Sequence, residues 1–118
     1  MPESPRTARG DRERYPYHRR YARHKVRVRV EVDGDRSFSS WTINVSREGL
    51  CFDLPVRVAL DRHVEVRIYL SRGKEARPLS ATARVVWNQP SGKSFRHGGE
   101  IVAFAEGDAE RLAAWLGE

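Results

Sequence analysis

From Val26 onward the chain keeps a period of two. Val26, Val28, Val30 and Val32 alternate with Arg27, Arg29 and Glu31, and the run ends in "DGD", a hairpin-type turn. Successive strand side chains point to opposite faces, so this is a strand with one apolar and one charged face. The pattern recurs along the chain. In "SFSSWTINVS", Trp41, Ile43 and Val45 are expected inward, with Thr42, Asn44 and Ser46 outward. "REG" punctuates, "LCFDL" makes a short return strand, and "HVEVRIYL" sends Val64, Val66, Ile68 and Leu70 inward. After the loop "SRGKEARP", "LSATARVVWN" is a further strand, and "QPSGKS" turns the chain into "FRHGGEIVAF". Only the end changes period. In "GDAERLAAWLGE", Leu112, Trp115 and Leu116 fall at i, i+3 and i+4, predicting a short amphipathic helix over 108–116. Asp108 is expected as its N-cap and Gly117 as its stop. Six or so short strands and one terminal helix predict a mainly β protein, a small antiparallel β-barrel with the helix across one mouth.

At 118 residues the chain suits one domain with one modest core. A composition 39% hydrophobic and 32% charged is that of a globular protein rather than a disordered one. Apolar runs of a few residues exclude a transmembrane helix, so no membrane insertion is expected. The opening "MPESPRTARGDRERYPYHRR" has no apolar core of the kind a secretory signal needs. Cys51, the single cysteine, excludes an internal disulfide framework and fits a reducing, cytoplasmic setting. Its neighbours in "GLCFDL" make it a small apolar strand residue with an inert thiol.

Residues 1–18, rich in Pro, Gly, Arg and Asp, read as a mobile basic tail ahead of a domain spanning 19–118. The net charge of +6 is concentrated in the first 25 residues. Residues 1–25 carry eight basic side chains against three acidic, whereas 26–118 carry fourteen against thirteen. A nearly neutral body with a basic lead-in suits a compact anion better than duplex DNA, which asks for a wide basic face.

Catalytic readings fail early. His18, His24, His63 and His97 are scattered, with neither the helical spacing nor the cysteine partners of a metal site. His24 continues the phase of the inward valines and reads as a core-edge residue. Ser46 and His97 lack the strand–turn–helix elbow of a nucleophile, and neither "GGEI" nor "REGL" has the spacing of a phosphate-cradling loop. A non-enzyme without metal or cofactor is expected.

Two segments remain: "RRYAR", which sets Arg19 and Arg23 four apart ahead of the first strand, and "NVSREG", with Asn44, Ser46 and Gly49. On a strand Asn44 and Ser46 stand side by side on the outer face, and Gly49 lets another group approach the backbone. RxxxR before the first strand and NxSxxG after the following hairpin resemble the two motifs of the PilZ domain family, the second being [D/N]xSxxG in that family. The likeness covers about residues 18–116, and "ARVVW" and "HGGEIVAF" are similar to the family's later strands. The resemblance implies a six-stranded barrel that binds the bacterial second messenger cyclic di-GMP, with the first motif on a loop that closes over the ligand. It implies Arg19, Arg20 and Arg23 as the clamp and Asn44, Ser46 and Gly49 as the barrel-side contacts. Trp87 is a candidate for packing on the ligand, although it shares phase with Leu79, Ala81, Ala83 and Val85, which would make it core. Arginine suits the task, since its planar fork matches both the O6/N7 edge of guanine and a phosphate.

A downstream effector protein is the expected partner of such a receptor. Two alternatives stand beside this reading. One is a ligand-independent protein-interaction adaptor. The other is a small basic barrel gripping single-stranded nucleic acid, against which Trp41 and Trp115 in core phase and the nearly neutral body argue.

Overall fold

The computed structural model describes residues 24–70 and 77–117. Six strands follow in chain order: β1 (Arg29–Asp33), β2 (Ser37–Val45), β3 (Gly49–Leu54), β4 (His63–Tyr69), β5 (Leu79–Ser91) and β6 (Ser94–Phe104). They close a barrel in the order β1-β2-β3-β6-β5-β4, every neighbouring pair antiparallel. A closed barrel leaves no sheet edge to be paired by another chain. One helix, α1 (Asp108–Leu116), packs its Leu112 and Leu116 onto the core from the end where β5 begins.

The alternating sequence drives this closure. Val30 and Val32 of β1, Leu50, Phe52 and Leu54 of β3, Val64, Val66 and Ile68 of β4, and Leu79, Ala81 and Ala83 of β5 fill the interior. Each large apolar side chain so buried contributes roughly 1.5–3 kcal/mol, the main term holding the barrel closed. The charged outer face is neutralised locally. Glu31 accepts from Arg29, Arg67 and Tyr69, and Arg67 also pairs with Asp33 at 2.7 Å. The Arg67 and Tyr69 hydrogen bonds hold the Glu31 carboxyl below its ordinary range.

Three β-bulges depart from the alternation. Between Thr42 and Asn44 the pairing with β3 advances by one residue, so Ile43 is extra. Thr42 therefore faces inward and is buried, whereas Trp41 is 48% exposed, the reverse of the expected faces. Val45, beyond the bulge, is inward as expected. The Thr42 hydroxyl donates to the Val26 carbonyl at 2.6 Å and accepts from the Val28 N–H at 3.0 Å. That buried pair of bonds staples the chain ahead of β1 onto β2. The other bulges leave Val86 and Val102 as extra residues, and both are exposed.

At α1 two expectations are corrected. The N-cap is Gly107, at φ 81°, and Asp108 lies inside the first turn, fully buried. Its carboxylate is spent on tertiary contacts: it accepts from the Ser80 N–H at 2.9 Å, from Arg77 at 3.2 Å and from Arg111 at 3.1 Å. The buried stripe is Leu112 and Ala113 with Leu116 partly covered, while Trp115 is 42% exposed. Gly117, at φ 80°, ends the helix as expected.

Candidate functional site

Arg19, Arg20 and Arg23 lie outside the described residues. The chain enters the described structure at His24, the next residue after Arg23. There His24 and Val45 exchange two backbone hydrogen bonds of 3.0 Å each. Val45 is the residue between Asn44 and Ser46, so His24 sits against the NxSxxG motif.

Residues paired across antiparallel strands share a face. Asn44 pairs with Cys51, Cys51 with Gly98, and Gly98 with Trp87, which puts all four in one row across β2, β3, β6 and β5. The row faces outward, because Leu50 and Phe52 on either side of Cys51 are core residues. Trp87 reaches this row only through the bulge at Val86. Without it Trp87 would follow Val85 inward, as its phase in the sequence suggests. The indole packs directly on Gly98: a Cβ there would clash with Nε1, Cε2 and Cδ1 of the ring. Gly98 is thus the seat of the tryptophan.

Asn44 is half-buried, and its Oδ1 is enclosed with no hydrogen-bond partner among the described residues. A buried amide oxygen left in that state costs about 1–3 kcal/mol, so the site holds an unmet demand for a donor. Ser46 does not stand beside Asn44 on the surface as the alternation suggested. It is buried, and its Oγ accepts from the N–H groups of Glu48 at 3.1 Å and Gly49 at 3.2 Å. The hydroxyl builds the turn between β2 and β3, which the Ser46 N–H to Gly49 carbonyl bond of 2.8 Å closes.

Gly49 is required by packing. A Cβ there would meet the Gly99 carbonyl oxygen at 2.5 Å, so the group that approaches its backbone is strand β6. The row of four carries no charge. Ion pairs flank it, Arg96 with Asp53 at 2.9 Å on one side and Arg84 with Glu100 at 2.8 Å on the other. Cys51, expected as an apolar strand residue, is buried in the middle of the outer row.

Sequence periodicity missed a second aromatic surface. Arg29 pairs with both Trp41 and Tyr69 across β2, β1 and β4. The Arg29 guanidinium lies 4.5 Å from the Tyr69 ring centre, and Arg27 lies 5.2 Å from that of Trp41. Core-phase tryptophans therefore no longer argue against a nucleic-acid platform. What does argue against one is Glu31, which already neutralises Arg29 beside these rings.

A closed six-stranded antiparallel barrel, stoppered by a C-terminal helix and carrying a polar and aromatic row on its outside, defines a small binding module. The chain belongs to the PilZ domain family, whose sequence model matches residues 17–118. That family is known for cyclic di-GMP receptor domains, which are binding modules rather than enzymes. Among solved structures the chain is similar to the Bacillus subtilis inhibitor of motility (MotI/DgrA), at 19% identity and a TM-score of 0.71. The match covers 84% of this chain and 49% of that one, so the chain spans about half its length, and the likeness is one of fold. No curated protein sequence matches significantly. Among the described residues no three metal-capable side chains cluster, and no helix is long and apolar enough to cross a membrane.

Proposed function

We propose that this domain binds cyclic di-GMP on the outer row, held between the arginine segment and the NxSxxG turn, and that binding is its signalling event. The observation that carries the reading is the His24–Val45 pairing, which sets the residue that follows Arg23 in the chain between Asn44 and Ser46. Arg19 and Arg23, with Arg20 beside them, supply the charge that the row lacks and clamp the phosphates and guanine edges. Asn44 Oδ1, enclosed and unmet, accepts from a guanine N–H. Trp87 offers its free face to a purine. Ser46 and Gly49 act at one remove: the serine holds the turn that presents Asn44, and the glycine lets β3 sit close on β6. No cofactor is needed, and the arginine segment folding over the ligand creates the surface that a downstream effector protein reads.

Calorimetric titration with cyclic di-GMP, with GTP and a short oligonucleotide as controls, tests this. Saturable heat with the cyclic dinucleotide alone is expected, and R19A/R23A abolishes it while the barrel stays folded by circular dichroism. A folded double variant with unchanged affinity refutes the clamp. A folded wild type without heat leaves the ligand-independent adaptor.

A further inference from the structure

At the end of the barrel away from α1, the β1–β2 hairpin and the β3–β4 connection enclose a cavity of about 340 Å³. Its walls are Val32, Phe38, Leu54, Val56, Val58 and Val64, all apolar. Its rim is basic: Arg36, Arg57 and Arg62 line it against one carboxylate, Asp35. Asp35 is already taken by Arg62, which grips it with both terminal nitrogens. Arg36 lies over the Phe38 ring at 5.3 Å, and neither it nor Arg57 has a carboxylate partner among the described residues.

The wall is held open rather than left to collapse. Val58, midway along the β3–β4 connection, is clamped through both backbone groups. Its N–H donates to His97 Nε2 at 2.9 Å, and its carbonyl accepts from Asn88 Nδ2 at 2.8 Å. Both anchors come from paired positions of β5 and β6, and the His97 ring stacks on the buried Phe52. An apolar cavity of ordinary ligand size, in a barrel mouth with a few charged groups at its lip, is where small ligands bind.

We propose that this mouth is a second binding site, for a monomeric amphiphilic anion: a medium-chain carboxylate whose tail fills the valine-lined cavity and whose head pairs with Arg36 and Arg57. The charge complementarity decides the class. A neutral apolar molecule would leave two guanidiniums unused, and a cation would be repelled by them. The site is independent of the outer row and stands or falls apart from the cyclic di-GMP reading.

The test is a titration of the whole chain with sodium hexanoate, octanoate and decanoate below micellar concentrations, followed by ¹H–¹⁵N correlation spectra. Saturable shifts are expected at 34–38 and 54–64, with affinity rising about fourfold per added methylene until the cavity is full. Octan-1-ol, with the same tail and no charge, should bind about tenfold more weakly than octanoate. R36E/R57E, at exposed positions that leave the core untouched, should abolish the preference for the anion. V56F, which fills the cavity, should abolish binding of both. Shifts that do not saturate, equal affinity for the alcohol and the acid, or octanoate binding unchanged in R36E/R57E each overturn the proposal. So does a response to phospholipid vesicles but not to the free acid.

Discussion

Gly49→Ala separates two meanings of the last residue in NxSxxG. A methyl group at this position would stand 2.5 Å from the Gly99 carbonyl oxygen, 3.6 Å from its carbon and 3.7 Å from Glu100 Cα. All three atoms are backbone, so no side chain can swing aside. Comfortable contacts lie at ~3.5–4.0 Å, so β3 and β6 would have to part locally by on the order of 1 Å. Two short bonds hold the turn there, Ser46 N–H to the Gly49 carbonyl at 2.8 Å and Ile101 N–H to the Glu48 carbonyl at 2.7 Å. Overpacking of this kind costs roughly 1–3 kcal/mol, and weakening a backbone hydrogen bond adds about 1 kcal/mol. The stiffer unfolded chain of the alanine variant returns only about 0.4–1 kcal/mol. A net loss of about 1–3.5 kcal/mol follows, which for a domain of this size lowers Tm by roughly 5–20 °C. Differential scanning calorimetry reads it directly. Gly34→Ala is the control, because its added methyl meets nothing nearer than Val64 Cγ1 at 3.4 Å and should change stability by less than about 0.5 kcal/mol. If G49A keeps the wild-type Tm and loses only cyclic di-GMP binding, the strand-packing argument is wrong and the glycine serves the ligand.

His97 should make the fold sensitive to mild acid. Burial depresses its pKa below the ordinary value, and Nε2 must stay unprotonated to accept from Val58. A depressed pKa contributes stability that is complete above the unfolded value of about 6.5 and is lost as pH falls through the folded value, by at most about 1.4 kcal/mol per pH unit. Urea midpoints at pH 7.5 and 5.0 should therefore differ more in wild type than in H97Q, and equal differences would sink the assignment. D108N should cost about 2 kcal/mol, since the amide leaves two arginines without their buried anion, and D35N should leave stability nearly unchanged, because its pair with Arg62 is exposed. Chemical denaturation of both variants checks the ranking. W87F should retain the wild-type Tm within about 3 °C, as the ring rests on the outside of Gly98, yet remove the fluorescence change on adding cyclic di-GMP. An unchanged signal would place the reporter at Trp41 or Trp115.

The barrel was legible because a period of two is a local property. Each alternating valine, leucine or isoleucine run declares a strand and its buried face without reference to any other, and the 3.6-residue phase of Leu112 and Leu116 declares the closing helix as locally. The order of RxxxR ahead of NxSxxG is likewise a property of the chain alone, and it pointed to the family that the sequence model matches. What sequence could not carry was the fate of faces after a bulge. One extra residue at Ile43 and another at Val86 invert the alternation, turning Thr42 inward and Trp41 and Trp87 outward. A bulge is defined by two strands at once, so neither strand's own pattern announces it. The same holds for Ser46, whose hydroxyl bonds to the turn instead of facing solvent, and for Asp108, whose partners Ser80 and Arg77 lie about thirty residues away. Local periodicity determined the elements, and the two motifs pointed to the family; long-range register decided which side chains reach the outer row, because a side chain's face depends on its partner strand as well as its own.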